Sequence, residues 1–208
     1  MSKLGHYLLV AVKGLCMGAA DVIPGVSGGT IAFLTGIYSE LIESIKSIDL
    51  EAVKLLFTGK FRKLWLKVNG NFLLSLVLGI LISIFSLAKV MQYLLVHHPI
   101  PLWSFFFGLI LASPIYIIRE VEVKKLIHLL PTMVGIAAGV IICLISPTET
   151  TDALWFIFLC GAIGICAMIL PGISGSFILL LLGKYAYIIG AVSDLNIPVL
   201  VVFAAGAL

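Results

Sequence analysis

Residues 24–30 (PGVSGGT) and residues 171–177 (PGISGSF) are two variants of one motif, and both lie in otherwise apolar sequence. Proline and glycine interrupt helices, and glycine leaves the backbone open to close approach. Aligned at an offset of 147 residues, 24–38 and 171–185 are identical at 8 of 15 positions, which indicates an internal repeat. In membrane proteins, broken apolar segments at matching places in two halves are the sequence feature that best locates a ligand site.

The composition excludes a soluble globular domain. Hydrophobic residues make up 62% of the 208 residues and charged residues only 11%, whereas soluble domains carry about 25% charged residues. Three apolar stretches, 71–96, 101–118 and 127–146, are long enough as helices to cross about 30 Å of hydrocarbon. The sequence therefore predicts an all-α polytopic membrane protein.

The charged residues predict how the helices are oriented. Lysine and arginine are concentrated in residues 46–69 and 119–125, and they are absent from 97–101 and 146–152. Segments rich in these cations remain in the cytoplasm, so the first two segments are predicted to be cytoplasmic and the other two external. The N-terminus, which carries Lys3, is predicted to be cytoplasmic as well.

The motifs and the charges together predict inverted-topology repeats. Residues 1–45 begin and end on the cytoplasmic side, so the broken segment within them forms a re-entrant helical hairpin. Residues 153–195 form the same hairpin but begin and end outside, because three spans separate the two copies. The first repeat is then 1–146, and the second is 153–208, in which 198–208 begins the next helix. Since the first hairpin is followed by three spans, we expect the natural chain to continue for about 60 residues, or this chain to be a shortened form.

Two features are expected at the membrane surface. Residues 46–69 mix cations with apolar residues, which predicts an amphipathic helix, or a pair broken near Gly59, in the cytoplasm or at the interface. A plain cytoplasmic loop is the alternative. The matched Tyr38 and Tyr185 are expected to anchor the hairpin arms at the interface rather than to contact a ligand.

The chemistry of the motif predicts an anion site. A serine two residues after each Pro-Gly can cap the departing helix, and the glycines that follow place bare backbone amides in its first turn. Unpaired N–H groups and the positive end of the helix dipole bind anions, phosphate above all. The alternative is that the motifs are kinks that only permit close helix packing. The candidate binding residues are Gly25, Ser27, Gly28, Gly29 and Thr30 in the first copy, and Gly172, Ser174, Gly175 and Ser176 in the second.

Ionisable residues in apolar sequence are functional candidates. Asp21, three residues before the first motif, is a candidate to couple the site to H⁺ or Na⁺, or it satisfies amides freed by the break. Glu40 is a second coupling candidate, with an interfacial position favoured as the alternative. Lys13, Lys184 and Arg119 are candidate partners for a phosphate, against the alternatives of snorkelling lysines and an interfacial arginine.

Nothing in the sequence points to an enzyme, a metal or a cofactor. An intramembrane phosphatase would need clustered histidine and arginine residues, but the histidines are distant in sequence from both motifs. The four cysteines have neither CxxC spacing nor a histidine at ligand spacing. The histidines are His6, His97, His98 and His128, and the cysteines are Cys16, Cys143, Cys160 and Cys166.

The motifs resemble those of the bacterial PopT family. The resemblance is carried by residues 17–30 (MGAADVIPGVSGGT) with 36–38 (GIY), by 170–176 (LPGISGS) with 183–185 (GKY), and by 107–114 (FGLILASP) ending at Arg119. It covers essentially the whole chain. Members of this family are regarded as polyprenyl-phosphate transporters, and they usually continue further than residue 208.

The resemblance implies a flippase that returns undecaprenyl phosphate from the outer to the inner leaflet of the bacterial inner membrane for reuse in cell-envelope synthesis. Its expected partners are this lipid and the membrane, with no nucleic acid, and the sequence leaves a homo-oligomer open. From the residues alone, the alternative is an ion or small-anion channel or transporter built on the same inverted hairpins. Preference of the purified protein for the lipid over inorganic phosphate would separate the two.

Overall fold

The computed structural model describes residues 3–120, 129–145, 150–170 and 172–207. The described residues contain helices and connections but no β-strand, which confirms the predicted all-α fold. Their helices are α1 (Lys3–Val22), α2 (Gly28–Leu34), α3 (Tyr38–Lys46), α4 (Leu50–Phe57), α5 (Phe61–Lys67), α6 (Gly70–His97), α7 (Pro99–Glu120), α8 (Leu129–Ile145), α9 (Leu154–Ile169), α10 (Gly175–Leu181), α11 (Tyr185–Ser193) and α12 (Ile197–Gly206).

The internal repeat extends to the ends of the helices. α2 and α3 have the same lengths as α10 and α11, and their first and last residues differ by the same 147 positions as the motifs. The turns match as well, because Gly25 and Gly172 have φ values of 89° and 92°. At these angles a side chain would be strained, so glycine is needed at each break.

Glycines allow the long helices to cross at close range. A Cβ added to Gly14 in α1 would lie 2.3 Å from the carbonyl oxygen of Leu76 in α6. A Cβ added to Gly79 would lie 2.1 Å from the carbonyl oxygen of Ala11. The backbones of α1 and α6 therefore touch, as small residues permit in membrane helices.

The same crossing recurs between α9 and α12. A Cβ added to Gly161 would lie 2.1 Å from Phe203 O, and one added to Gly206 would lie 2.0 Å from Phe158 O. Gly161 and Phe158 are 147 residues beyond their first-repeat counterparts in α1, whereas Gly206 is 127 residues beyond Gly79. α12 is thus the counterpart of the start of α6, and the first repeat contains 20 extra residues, which accommodate α4 and α5.

Length and apolar character set α6 apart. Within the described residues, α6 is the one helix that could cross a membrane alone, and α10 with α11 meets the same test as a pair whose axes bend by 119°. The exposed side chains of α6 include Leu78, Ile82 and Val90. An apolar outer surface of this kind suits lipid as the surrounding solvent.

The connection between α6 and α7 is shorter than predicted. Residues 97–101 were expected to form an external loop, but α6 ends at His97 and α7 begins at Pro99. Proline is favoured in the first turn of a helix because its missing N–H is not needed there. The predicted segments 119–125 and 146–152 lie mostly outside the described residues, as does Pro171.

Candidate functional site

Each motif forms a capped helix start after a broken helix. Ser27 Oγ accepts a hydrogen bond from Thr30 N at 3.3 Å, and Ser174 Oγ accepts one from Phe177 N at 3.3 Å. Both serines have extended backbone, as N-cap residues do. The predicted capping roles of Ser27 and Ser174 are confirmed.

The two motifs meet each other, and we call the facing segments, residues 23–30 and the described residues of 170–176, the tips. Gly25 N donates to Ser174 Oγ at 3.3 Å, and Gly172 N donates to Thr30 Oγ1 at 2.8 Å. These bonds join residues more than 140 positions apart in the chain. Gly29 packs on the end of α9, where an added Cβ would lie 2.9 Å from Met168 O. The structure therefore brings the predicted residues of both copies into one site.

One tyrosine from each hairpin donates a hydrogen bond to the other hairpin. Tyr38 OH donates to Ile169 O at 3.2 Å, and Tyr185 OH donates to Val22 O at 2.9 Å. Both partners of the second bond lie 147 residues from those of the first, so the arrangement is reciprocal. Each hydroxyl satisfies a carbonyl at the broken end of the opposite helix, which would otherwise lack a partner.

The expectation that both tyrosines anchor the arms at the membrane interface is wrong for Tyr185. Its side chain is buried, with 2% exposure, and its ring packs edge-on against Phe106. Tyr38 is half-buried, and its bond to Ile169 O is exposed. The matched positions of the tyrosines gave a signal for a shared role, but the sequence could not show that each reaches across to the other hairpin.

Asp21 is the main difference between the two copies. One of its carboxylate oxygens accepts a hydrogen bond from Gly28 N at 3.0 Å, so the carboxylate occupies the amide end of α2. In the second copy, Met168 takes the same place, and its side chain would touch a Cβ added to Gly175. The positive end of α2 is therefore already matched by a negative charge, whereas that of α10 faces a thioether.

The two predicted lysine partners do not lie at the tips. Lys13 Nζ donates to Thr35 O at 2.7 Å, at the far end of α2. Lys184 is buried, and its ammonium group donates to Thr150 O and pairs with Asp152 at the far end of α10.

Glu40 and Arg119 complete the predicted set. Glu40 accepts from Asn69 Nδ2 at 2.8 Å and thus joins α3 to the start of α6; no described contact links it to a tip. Arg119 lies in α7, and its side chain is outside the described part of the chain.

Two cavities border the tips. One has a volume of about 320 Å³ and is lined by Gly25, Gly172 and Ser174 of the tips, by Ile110 of α7 and by two residues of α10. The other has a volume of about 280 Å³ and extends from Asp21 and Ser176 between apolar side chains of α6, α11 and α12. In the described residues, no three His, Cys, Asp or Glu side chains are grouped closely enough to hold a metal ion.

Comparison of the sequence with known proteins places the chain in a family. A family model described as VCA0040-like, undecaprenyl phosphate translocase-like, matches residues 17–208. A polyprenyl-phosphate transporter of Vibrio cholerae serotype O1 is 49% identical over 98% of the chain, and one of Staphylococcus aureus is 34% identical over 95%. The chain spans 66% and 71% of the length of these two relatives. No solved structure matches it.

These relatives are named as transporters, in agreement with the prediction that the chain is not an enzyme. They confirm the resemblance seen in the paired PGxSG motifs. The chain belongs to the family of VCA0040-like, undecaprenyl phosphate translocase-like proteins.

Proposed function

We propose that this chain forms the translocation site of a polyprenyl-phosphate transporter, and that the lipid is undecaprenyl phosphate. The observation that carries the proposal is the meeting of the two PGxSG tips, which hydrogen-bond each other across the repeat. The names of two close relatives, both polyprenyl-phosphate transporters, support the lipid class. The lipid is returned from the outer to the inner leaflet of the bacterial inner membrane for reuse in envelope synthesis.

The phosphate binds where the tips face each other. Its oxygens accept hydrogen bonds from backbone amides and hydroxyls of the tip residues, in the cavity bordered by Gly25, Gly172 and Ser174. The bonds from Gly25 N and Gly172 N to hydroxyls of the other copy support this arrangement, because a phosphate oxygen would replace those hydroxyls as the acceptor. A phosphate oxygen would accept more strongly than a hydroxyl, because it carries charge. The other members of the proposed site are Ser27, Gly28, Gly29, Thr30, Gly175 and Ser176.

The isoprenoid tail remains in apolar surroundings throughout. The second cavity, which runs from Ser176 between apolar side chains of α6, α11 and α12, can take the first prenyl units, while the rest of the tail stays in lipid. The protein then needs to shield only the charged headgroup, whose transfer through hydrocarbon is the costly step.

Asp21 couples phosphate binding to a cation. The Asp21 carboxylate accepts a hydrogen bond from Gly28 N, an amide that the phosphate would otherwise use. A phosphate bound beside it would also be repelled by the negative charge of the carboxylate. Binding of H⁺ or Na⁺ to Asp21 removes that competition and admits the phosphate. Glu40 remains a secondary candidate. Lys13, Lys184 and Arg119 are the candidate counter-charges, and the two lysines would have to leave their present partners to reach the tips.

The repeats have inverted topology, with the first hairpin re-entrant from the cytoplasm and the second from outside. The matching helix bounds and the reciprocal tyrosine bonds support a two-fold relation between the repeats. Together with the distribution of basic residues, this relation gives a multi-pass protein whose N-terminus is cytoplasmic.

The test compares binding of undecaprenyl phosphate and inorganic phosphate by the purified protein, through ligand-induced shifts of the thermal unfolding midpoint. Thr30→Val keeps the shape of the side chain but removes the hydroxyl that contacts Gly172 N. Because a hydrogen bond to a charged group contributes about 1.5–3 kcal/mol, loss of a tip hydroxyl should weaken lipid binding by about tenfold or more. Ser174→Ala should do the same.

Ser86→Ala is the control, since it removes a serine hydroxyl that donates to Ile82 O within α6, away from the tips. It should leave lipid binding unchanged. Preference for inorganic phosphate over the lipid would favour the small-anion transporter instead. Unchanged lipid binding in both tip variants would place the phosphate elsewhere.

A further inference from the structure

The helical pair α4–α5 is an addition to one repeat only. In the second repeat, α11 passes to α12 through the three residues 194–196, whereas in the first repeat 23 residues separate α3 from α6. The crossing of α12 on α9 nevertheless repeats that of α6 on α1 at the same glycines. The scaffold of the repeat is therefore complete without α4 and α5, and their presence calls for a separate role.

The pair exposes large apolar side chains. Leu50 is 89% exposed, Phe57 85% and Leu66 72%, and Phe61 and Trp65 are also exposed. The break between the helices lies at Gly59, with a φ of 68°. Exposed apolar groups in such number on two short helices are costly in water, so a partner with apolar material should cover them.

Cations lie among these apolar groups. Both acidic residues of the pair, Asp49 and Glu51, are held by one lysine, Lys67, at 2.7 Å and 2.5 Å respectively. The ammonium of Lys67 lowers the pKa of Asp49, which keeps this carboxylate ionised and paired. The other basic side chains are exposed, and no described carboxylate pairs with them. They are Lys54, Lys60, Arg62 and Lys63.

The pair is fixed to the start of the long apolar helix. α4 packs on α5, and α5 on α6. The indole of Trp65 covers Gly70, the first residue of α6, and its Nε1 donates to Asn71 Oδ1 at 2.9 Å. Tryptophan with its N–H bonded in this way is typical of the boundary between hydrocarbon and headgroups.

We propose that α4–α5 docks on the bilayer itself, with its apolar side chains at the acyl boundary and its four unpaired cations on anionic lipid headgroups. The charges decide between partners, because an apolar surface alone would suit a protein or a second copy, whereas apolar groups interleaved with unpaired cations suit an anionic membrane. Because only one repeat carries the pair, the two faces of the protein differ, and the pair marks the face that meets the more anionic leaflet. This role does not depend on which ligand the tips bind.

The experiment uses the full chain with its native cysteines replaced and with Phe57→Cys carrying an environment-sensitive fluorophore. The protein is reconstituted into vesicles of phosphatidylcholine, with or without phosphatidylglycerol. Quenching by nitroxide lipid reports burial in the membrane, and quenching by acrylamide reports exposure to water. The label should be quenched by the lipid and protected from acrylamide in the anionic vesicles, and high salt should reverse this.

Charge variants test whether the exposed cations bind α4–α5 to the membrane. Successive replacement of Lys54, Lys60, Arg62 and Lys63 by glutamine should lower the ratio of membrane-bound to free label by about fivefold per cation. Lys89→Gln, which removes an exposed cation from α6, should leave the ratio unchanged.

Three outcomes would overturn the proposal. The label could be open to acrylamide in anionic vesicles, which would leave the surface uncovered. It could be buried equally in neutral vesicles, which would exclude recognition of charge. It could also form disulfides between copies in the unlabelled Phe57→Cys chain, which would make a second copy the partner.

Discussion

At the scale of single residues, the two hairpins make matching hydrogen bonds to each other, but these bonds differ in how deeply they are buried. Tyr38 and Tyr185 make the same bond to the opposite hairpin, but the bond of Tyr185 is buried and that of Tyr38 is exposed. Asp21 and Met168 occupy equivalent places with opposite chemistry. The two halves therefore match in connectivity and differ in environment.

The tyrosines should therefore contribute unequally to stability. Tyr185→Phe leaves a buried carbonyl at Val22 without its donor, which costs about 1–3 kcal/mol. Tyr38→Phe should cost less than about 1 kcal/mol, because water can replace an exposed donor. Unfolding in denaturing detergent, followed by circular dichroism, measures both. Equal losses in the two variants would show that the two bonds are equally shielded.

At the scale of helices, the molecule is assembled from two crossings of the same design. The crossing of α1 on α6 places three glycines, Gly14, Gly18 and Gly79, against carbonyl oxygens of the partner helix, and that of α9 on α12 places two. In lipid, apolar side chains give little net drive for helix association, so close backbone contact supplies much of the attraction. These crossings fix the positions of α1 and α9, and the tips follow directly after these two helices.

Gly79→Ala should weaken the crossing of α1 on α6. The added methyl would lie 2.1 Å from Ala11 O, so the helices must separate, at about 1–3 kcal/mol for overpacking of this kind. Gly108→Ala is the control, since nothing lies near its added Cβ, and alanine should stabilise that helix by up to about 1 kcal/mol. Thermal unfolding of the two variants in the same detergent gives the comparison. A Gly79→Ala protein as stable as the control would mean that the helices cross less tightly.

The sequence predicted the helices and tips well because these depend on local signals. The motif predicts the break, the serine predicts the cap, and the apolar runs predict the helices, of which α6 alone among the described helices is long and apolar enough to span a membrane by itself. It did not predict the crossings, because the GxxxG pair Gly14 and Gly18 does not by itself show which distant helix it meets. It missed the equivalence of α6 and α12 for a similar reason, since the inserted α4–α5 shifts the offset from 147 to 127 residues.

At the scale of the whole molecule, the repeats are joined along α6, which packs on α11, and through their tips. The hairpins contact each other through α1 with α10 and α2 with α9, besides the hydrogen bonds at the tips. The first tip is largely buried, whereas Leu170, Gly172 and Ile173 of the second tip are exposed. The two hairpins are therefore in contact in the folded molecule, although the chain separates them by more than a hundred residues.

Inverted topology predicts opposite labelling of equivalent positions. Ser39 and Ala186 are both exposed, lie 147 residues apart, and occupy the same place in α3 and α11. With the native cysteines replaced, Ser39→Cys should react with a membrane-impermeant thiol reagent only from the cytoplasmic side, and Ala186→Cys only from outside. Intact cells and inverted vesicles supply the two sides. Reaction of both from one side would contradict the inverted arrangement.

The reciprocal tyrosine bonds have a consequence for biosynthesis. Val22 is made early, whereas its partner Tyr185 follows 163 residues later, which takes roughly 8–33 s at ordinary rates of translation. Throughout that interval, the broken end of α1 has no protein donor. A nascent chain in this state must keep its first hairpin close to water or to the insertion machinery, and it can settle into hydrocarbon only when the second hairpin arrives.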